Sequence, residues 1–454
     1  MAIVLKPVAL PHFGVPIRAP EIPQEIYAER CDTLYARSGA DWVVVYADRE
    51  HLANIAFLSA FEPRFEEALL LLGPDGRRIL VCGNESSSYA PLARLPETEI
   101  VLCQSLSLMG QTRESAPALE IVLEEVGLKA GDTFGVVGWK YLGRTEWSGE
   151  APSFQVSAHL IDVLRKIAGK DGSLVEATPI LMDPEKGLRA VVDVHQIAAG
   201  EWGAARASEA VWRIVTGISP GEDEFTAAAR MGYAGEELSA HVMFATAAKG
   251  EPVVGLRSPR GRILSEGEGV STAVSYWGGL SSRAGMIARE DDDFVEIAKS
   301  YFGALLTWYE TVDLGCEGGE VDAAVRAKLA EAKLEPALNP GHLVGHDEWM
   351  NTPIVPGGRT PLVSGMPFQV DIIPTPMSAG KALNCEDAVT LADEALRDDL
   401  RTHYPETADR IEARRRFLAE ELGVSLKDCI LPLSNTPLCL PPLWLRSNML
   451  LAKD

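Results

Sequence analysis

The chain has 454 residues, with 42 Lys plus Arg against 65 Asp plus Glu, a net charge of −23. At about 150 residues per domain the length points to about three domains, and the acidity argues against phosphate backbones, and so nucleic acid, as a partner. Hydrophobic residues at 46% and charged residues at 24% give a globular composition that excludes a disordered chain.

Short apolar runs near the N-terminus are broken by Pro7, Pro11 and Pro16, which is unlike a signal peptide. No stretch approaches 18 uncharged apolar residues, so no membrane partner is expected. The seven Cys are scattered, without a C-x-x-C pair, which argues against zinc ribbons and redox motifs. Free thiols suit a reducing compartment, and the expected location is the cytoplasm.

Trp42-Val43-Val44-Val45-Tyr46 is an apolar run of strand length. Ala68–Leu72 and Ile79–Cys82 flank the turn cluster Gly73-Pro74-Asp75-Gly76, which predicts a hairpin. Ile100–Cys103 and Phe134–Val137 read as further strands, with a helix over Leu119–Val126 between them. Strands alternating with helices predict a small α/β domain over residues 1–180.

Good helix formers then run from Leu188 to Val215, interrupted only by Gly200 and Gly203. Gly217-Ile218-Ser219-Pro220-Gly221 stops that helix, and Glu222, Asp223 and Glu224 open the next, where acidic residues favour the positive end of the helix dipole. Phe294, Ile297, Ala298, Tyr301, Phe302, Leu305 and Leu306 follow helical spacing behind Asp291, Asp292 and Asp293, which serve as cap and dipole partners. Strand-like pieces fill 242–288 and 340–391. The pattern predicts an α+β domain over 181–400 and a C-terminal extension over 401–454.

Three segments carry candidate chemistry. Pro340-Gly341-His342-Leu343-Val344-Gly345-His346-Asp347-Glu348 places two His, one Asp and one Glu within seven residues, and the glycines beside His342 let backbone approach a ligand. Gly365-Met366-Pro367-Phe368-Gln369-Val370-Asp371 is an apolar strand ending on a carboxylate, which is costly to bury unpaired. Asn384-Cys385-Glu386-Asp387 leads another apolar strand with carboxylates.

Taken in order, these segments resemble the creatinase, prolidase and aminopeptidase P family of pita-bread proteins. Ile218-Ser219-Pro220-Gly221-Glu222-Asp223-Glu224 is similar to the family's Pro-Gly turn and acidic helix start, and Gly267-Glu268 to its Gly-Asp turn. Gly341 to Gly345 is similar to its Gly-His-Gly-Ile-Gly motif, Gly365 to Asp371 to its Gly-Met strand, and Glu386-Asp387 to its Glu-Asp pair. The resemblance implies an α+β chain with a creatinase-type α/β N-terminal domain followed by a pita-bread domain.

The departures narrow what the resemblance implies. Peptidases of the family hold two metal ions with two Asp, one His and two Glu. The matching Asp positions, eleven residues apart, are Ser271 and Ser282, and no Asp occurs from Val254 to Glu290. His342, Asp371 and Glu386 remain. A hydroxyl is a poor substitute for a bridging carboxylate, so no cofactor is expected; if an ion binds, it is a single divalent metal held by those three residues. Creatinase, the metal-free branch, has its base His eleven residues before the Gly-Asp turn, where this chain has Leu256.

The expected activity is hydrolysis of a C–N bond in a small amide- or guanidino-type substrate, creatinase-like and independent of a dinuclear metal. His342, Asp371 and Glu386 are the expected catalytic residues, with His342 as the proton-transfer group. His346 and Trp349 are expected to bind substrate. Phe61 and Arg64, similar to a Phe-x-Arg pair that contacts substrate across the creatinase dimer, are expected to do so as well and imply a homodimer. The alternatives are a single-metal Xaa-Pro peptidase-like or lyase enzyme, and an inactive family member that only binds.

Overall fold

The first strand, β1 (Ile3–Pro7), pairs antiparallel with Met449–Lys453, so both chain ends belong to one compact unit, Met1–Glu21 with Val191–Asp454. Ile22–Ala190 forms the other unit. The computed structural model describes residues 2–114, 116–143 and 145–454.

In Ile22–Ala190 the apolar runs become β2 (Trp42–Ala47), β3 (Ala68–Leu72), β4 (Arg78–Cys82), β5 (Thr98–Leu102) and β6 (Thr133–Val137). With β7 (Ser173–Glu176) they form one sheet in the order β5-β4-β3-β2-β6-β7. β3 and β4 make the expected antiparallel hairpin. β2 pairs parallel with β6, and β6 with β7, as crossover connections require. Helices Leu119–Val126 and Ala158–Ala168 bury Leu123 and Leu164 in a core shared with Val44, Leu71 and Phe134.

The other unit is built on β8 (Met243–Ala247), β9 (Glu268–Tyr276), β10 (Gly279–Ile287), β11 (Glu335–Pro336), β12 (His342–Leu343), β13 (Pro367–Val370), β14 (Pro374–Thr375), β15 (Asn384–Leu391), β16 (Ile430–Pro432) and β17 (Met449–Lys453). The main sheet runs β12-β13-β15-β10-β9-β8, and β16 pairs with β15. β11 and β14 form a separate antiparallel pair.

The long helix spans Val194–Gly217 and begins later than its composition suggested, because the Asp193 side chain accepts the Gln196 N–H and sets the N-cap there. Its two glycines have a packing role. A Cβ on Gly203 would collide with the Trp277 carbonyl, and Gly200 lies against Gly278, so both let the β9–β10 turn approach the helix. Asp223 caps the next helix, Glu224–Ala229. Asp291 caps Asp292–Thr311, which buries Phe294, Ala298, Tyr301, Phe302 and Leu305.

Residues after Asp393 fold into helices Glu394–His403 and Pro405–Glu421, then β16 and β17. They are tied to the sheet by charge. Arg414 is fully buried and meets Glu201 of the long helix at 2.5 Å. Arg283 on β10 is also fully buried, donating to Glu386 O at 3.0 Å, Cys439 O at 2.7 Å and Thr436 O at 2.6 Å, and pairing with Asp387 at 3.0 Å.

Candidate active site

Strand register sets which residues share a face. His342 on β12 lies opposite Gln369 on β13, and Gln369 lies opposite Ala388 on β15. Side chains alternate along a strand. Gln369 and Asp371 therefore share a face with Asn384 and Glu386, while Cys385 and Asp387 point to the Arg283 side. On β10, Ser282 lies opposite Glu386; across the β9–β10 ladder Ala273 faces Ser282 and Ser271 faces Ala284. The same face thus presents Ser271 and Ser282.

On that face His342, Asp371 and Glu386 converge. One donor atom from each lies within 4.8 Å of the others, and all three residues are buried. The backbone makes this possible at Gly341, whose φ of +120° is easy only for glycine and whose Cβ would crowd the Gln369 carbonyl at 3.1 Å. His342 Nδ1 is 3.3 Å from Leu343 O, which favours the tautomer with the proton on Nδ1 and turns Nε2 to the cluster. Nε2 lies 3.9 Å from Glu386 Oε1 and 3.2 Å from Glu348 Oε1. The Glu348 contact is close enough for charge pairing.

Neutral groups complete the floor. Gln369 Nε2 donates to Leu280 O at 2.6 Å and to Glu386 Oε1 at 3.2 Å. Asn384 Nδ2 bonds Ser282 Oγ at 3.0 Å. Trp349 stacks on the His342 ring at 4.1 Å with 17° between planes, and His346 meets Trp277 edge-on at 4.9 Å.

The electrostatics follow from burying like charges together. Burial lifts Glu386 well above the usual carboxylate range; Asp371 and Glu348 add to the lift and Gln369 opposes it. Burial also raises Asp371, against the pull of His342. For His342 burial acts downward, but the Glu348 carboxylate outweighs it and the imidazole is raised.

Phe61 and Arg64 belong to the other unit, Ile22–Ala190. Phe61 is fully buried there. Arg64 has a left-handed φ of 61°, pairs with Glu62 at 3.1 Å and lies over the Tyr89 ring at 4.4 Å.

No protein-family model matches the sequence, and no curated protein matches it. Solved structures do match. A prolidase from Thermococcus sibiricus superposes with a TM-score of 0.65 at 16% identity, over 82% of this chain and 96% of that one. A prolidase from Pyrococcus horikoshii OT3 gives 0.62 at 15% identity, over 81% and 95%. A dipeptidase from Mycobacterium ulcerans gives 0.62 at 19%, over 82% and 95%. The chain has the pita-bread fold. A creatinase-type α/β domain precedes the pita-bread domain, in an α+β chain.

In the pita-bread domain, the residues do not fit the dinuclear centre that the resemblance implied. Two further carboxylates would have to come from β9 and β10, where Ser271 and Ser282 face the cluster instead. They do fit one ion. One imidazole and two carboxylates converge, and Asp371 Oδ1 is buried without a hydrogen-bond partner.

Sequence reasoning passed over Glu348, Gln369 and Asn384 as site residues. Glu348 stood inside the His-rich segment and Gln369 inside the strand leading to Asp371, two positions away on the same face. Period-two alternation from Asp371 and Glu386 was the signal that would have found Gln369 and Asn384.

Proposed function

We propose that this protein hydrolyses a C–N bond in a small amide-type substrate, using His342, Asp371 and Glu386 without a dinuclear metal centre. The observation that carries this reading is the convergence of the three buried side chains within 4.8 Å on a face where positions 271 and 282 carry hydroxyls. The fold shared with structures described as prolidases and dipeptidases supports the reaction class.

In such a hydrolysis the water oxygen bonds to the carbonyl carbon, the C–N bond breaks, and one water proton ends on the leaving nitrogen. An imidazole beside carboxylates can accept that proton and pass it on. His342 Nε2 is directed at the cluster for this step, and the neighbouring carboxylates stabilise the imidazolium it forms. Trp349, stacked on the ring, limits its rotation. Trp349 and His346 are the proposed substrate contacts on this loop.

A single-ion form is the second reading, favoured by the donor set itself. His342, Asp371 and Glu386 would hold the ion, which would polarise the carbonyl and acidify a water.

One experiment tests both readings. The protein is stripped with chelator and assayed on Xaa-Pro dipeptides, other dipeptides, simple amides and guanidino acids, with and without added Mn2+, Zn2+ or Co2+. Turnover of at least one class is expected, and it should fall by about 100-fold or more in His342→Ala and in Glu386→Gln. Turnover only with metal selects the second reading. No turnover across the panel rejects the hydrolase.

A further inference from the structure

Gln369 lies on the floor of the cluster and is completely buried. Its side chain crosses from β13 over β15 to reach β10, where Nε2 donates to Leu280 O at 2.6 Å. A backbone carbonyl only accepts, so this bond decides which end of the amide is the nitrogen. Oε1 is then an obligate acceptor, and it is buried with no hydrogen-bond partner. On the same face Asn384 Oδ1 and Asp371 Oδ1 are also buried and unpartnered.

With His342 Nε2, which is also unpartnered, four acceptors face this site without a donor. Buried polar groups are normally paired. A cation could satisfy the Asp371 carboxylate, but the amide oxygens of Gln369 and Asn384, which lie outside the three-residue donor set, call for hydrogen-bond donors. In a small substrate cleaved at a C–N bond, the nitrogen of that bond is a donor only if it carries hydrogen. The Gln369 side chain is bonded to Glu386 Oε1 at 3.2 Å, so a group bound to Oε1 is in reach of the carboxylate.

We infer that Gln369 sets substrate specificity: its Oε1 accepts the N–H of the bond to be cleaved, so the site takes amides whose nitrogen bears hydrogen and rejects N,N-disubstituted amides, proline amides included. This rests on the hydrolase reading above. An N-alkylated substrate leaves Oε1 buried and unpaired, the situation in which a polar site discriminates most strongly. Gln369 carries no charge itself; its Nε2 supports the Glu386 carboxylate, while its Oε1 acts on the choice between substrates.

The test compares alanyl-alanine with alanyl-N-methylalanine. The unmodified chain should favour the N–H dipeptide in kcat/KM by at least about 100-fold. Gln369→Leu should bring the ratio to within a few-fold by losing rate on the N–H dipeptide. The leucine is as bulky, so a preference caused only by methyl crowding would persist in it. Gln369→Glu, which keeps an acceptor, should keep the preference. A ratio near one in the unmodified chain, or a ratio unchanged in Gln369→Leu, overturns the inference. So does loss of the preference in Gln369→Glu, which serves where the leucine variant does not fold. If neither dipeptide is cleaved, the hydrolase reading fails on this class, and binding then decides the role of Gln369. Acetamidinium, rich in N–H, should raise the melting temperature more than tetramethylammonium, and Gln369→Leu should remove the difference. Equal shifts for the two cations in the unmodified chain reject the acceptor role.

Discussion

Ser282 lies directly opposite Glu386 on adjacent antiparallel strands, with both side chains on the face that holds His342 and Asp371. A hydroxyl therefore stands where a second strand carboxylate would bridge two ions. The unmodified chain should bind no more than one Mn2+ or Zn2+ in equilibrium dialysis. Ser271→Asp combined with Ser282→Asp restores carboxylates at the right register and should raise the capacity to two. Two tightly held ions in the unmodified chain would mean that these serines do not limit the site.

Glu386 is held well above the usual carboxylate range, by burial first and by Asp371 next. An acid whose folded value is raised binds its proton more tightly folded than unfolded, so it costs stability as pH rises above its unfolded value. Glu386→Gln removes that cost. In chelator at pH 7 the variant should melt at or above the parent temperature, with the gain shrinking toward pH 4 while turnover is lost. A melt far below the parent at pH 7 would mark Glu386 as scaffolding.

Most of the fold was legible because its signals are local. Continuous apolar runs such as Trp42–Tyr46, and the stripe from Phe294 to Leu306, report burial directly. The cluster was legible in part. His342, Asp371 and Glu386 stand 29 and 15 residues apart in sequence, and only motif order suggested that they meet. Period-two alternation from Asp371 reaches Gln369, but its partners, like the contact of Glu348 with His342, depend on which atoms the fold brings together. The long helix shows the same limit. Gly200 and Gly203 look like weak points until the β9–β10 turn is placed against them.

Arg283 and Asp387 form a buried pair at 3.0 Å on the sheet face opposite the cluster. The Arg also holds Glu386 O, Thr436 O and Cys439 O, joining β10, β15 and the C-terminal stretch. Arg283→Met leaves Asp387 buried with an uncompensated charge and should cost about 3–5 kcal/mol in denaturant unfolding. Adding Asp387→Leu should recover part of that loss, since an apolar pair of similar volume carries no desolvation cost. Additive losses in the double variant would show that the ion pair is not the source of the effect.

Glu224, at the start of the helix after the Pro-Gly turn, gathers Arg257 at 2.6 Å, the Arg260 N–H at 2.7 Å and Thr246 Oγ1 at 2.8 Å. Burial alone would raise this carboxyl, but the Arg257 bond and the backbone and hydroxyl donors outweigh it and hold it at about 2. A depressed acid binds protons more readily unfolded than folded. Its stabilisation is complete above the unfolded value of 4.5 and is lost as pH falls toward 2. Thermal melts between pH 7 and pH 2 should therefore show a steep acid limb in the parent and a shallower one in Glu224→Gln. The substitution should be most costly near neutral pH, where it removes a charged partner from Arg257, and the two curves should converge toward pH 2. Parallel curves, separated by the same interval at every pH, would mean that Glu224 contributes through packing and not through its charge.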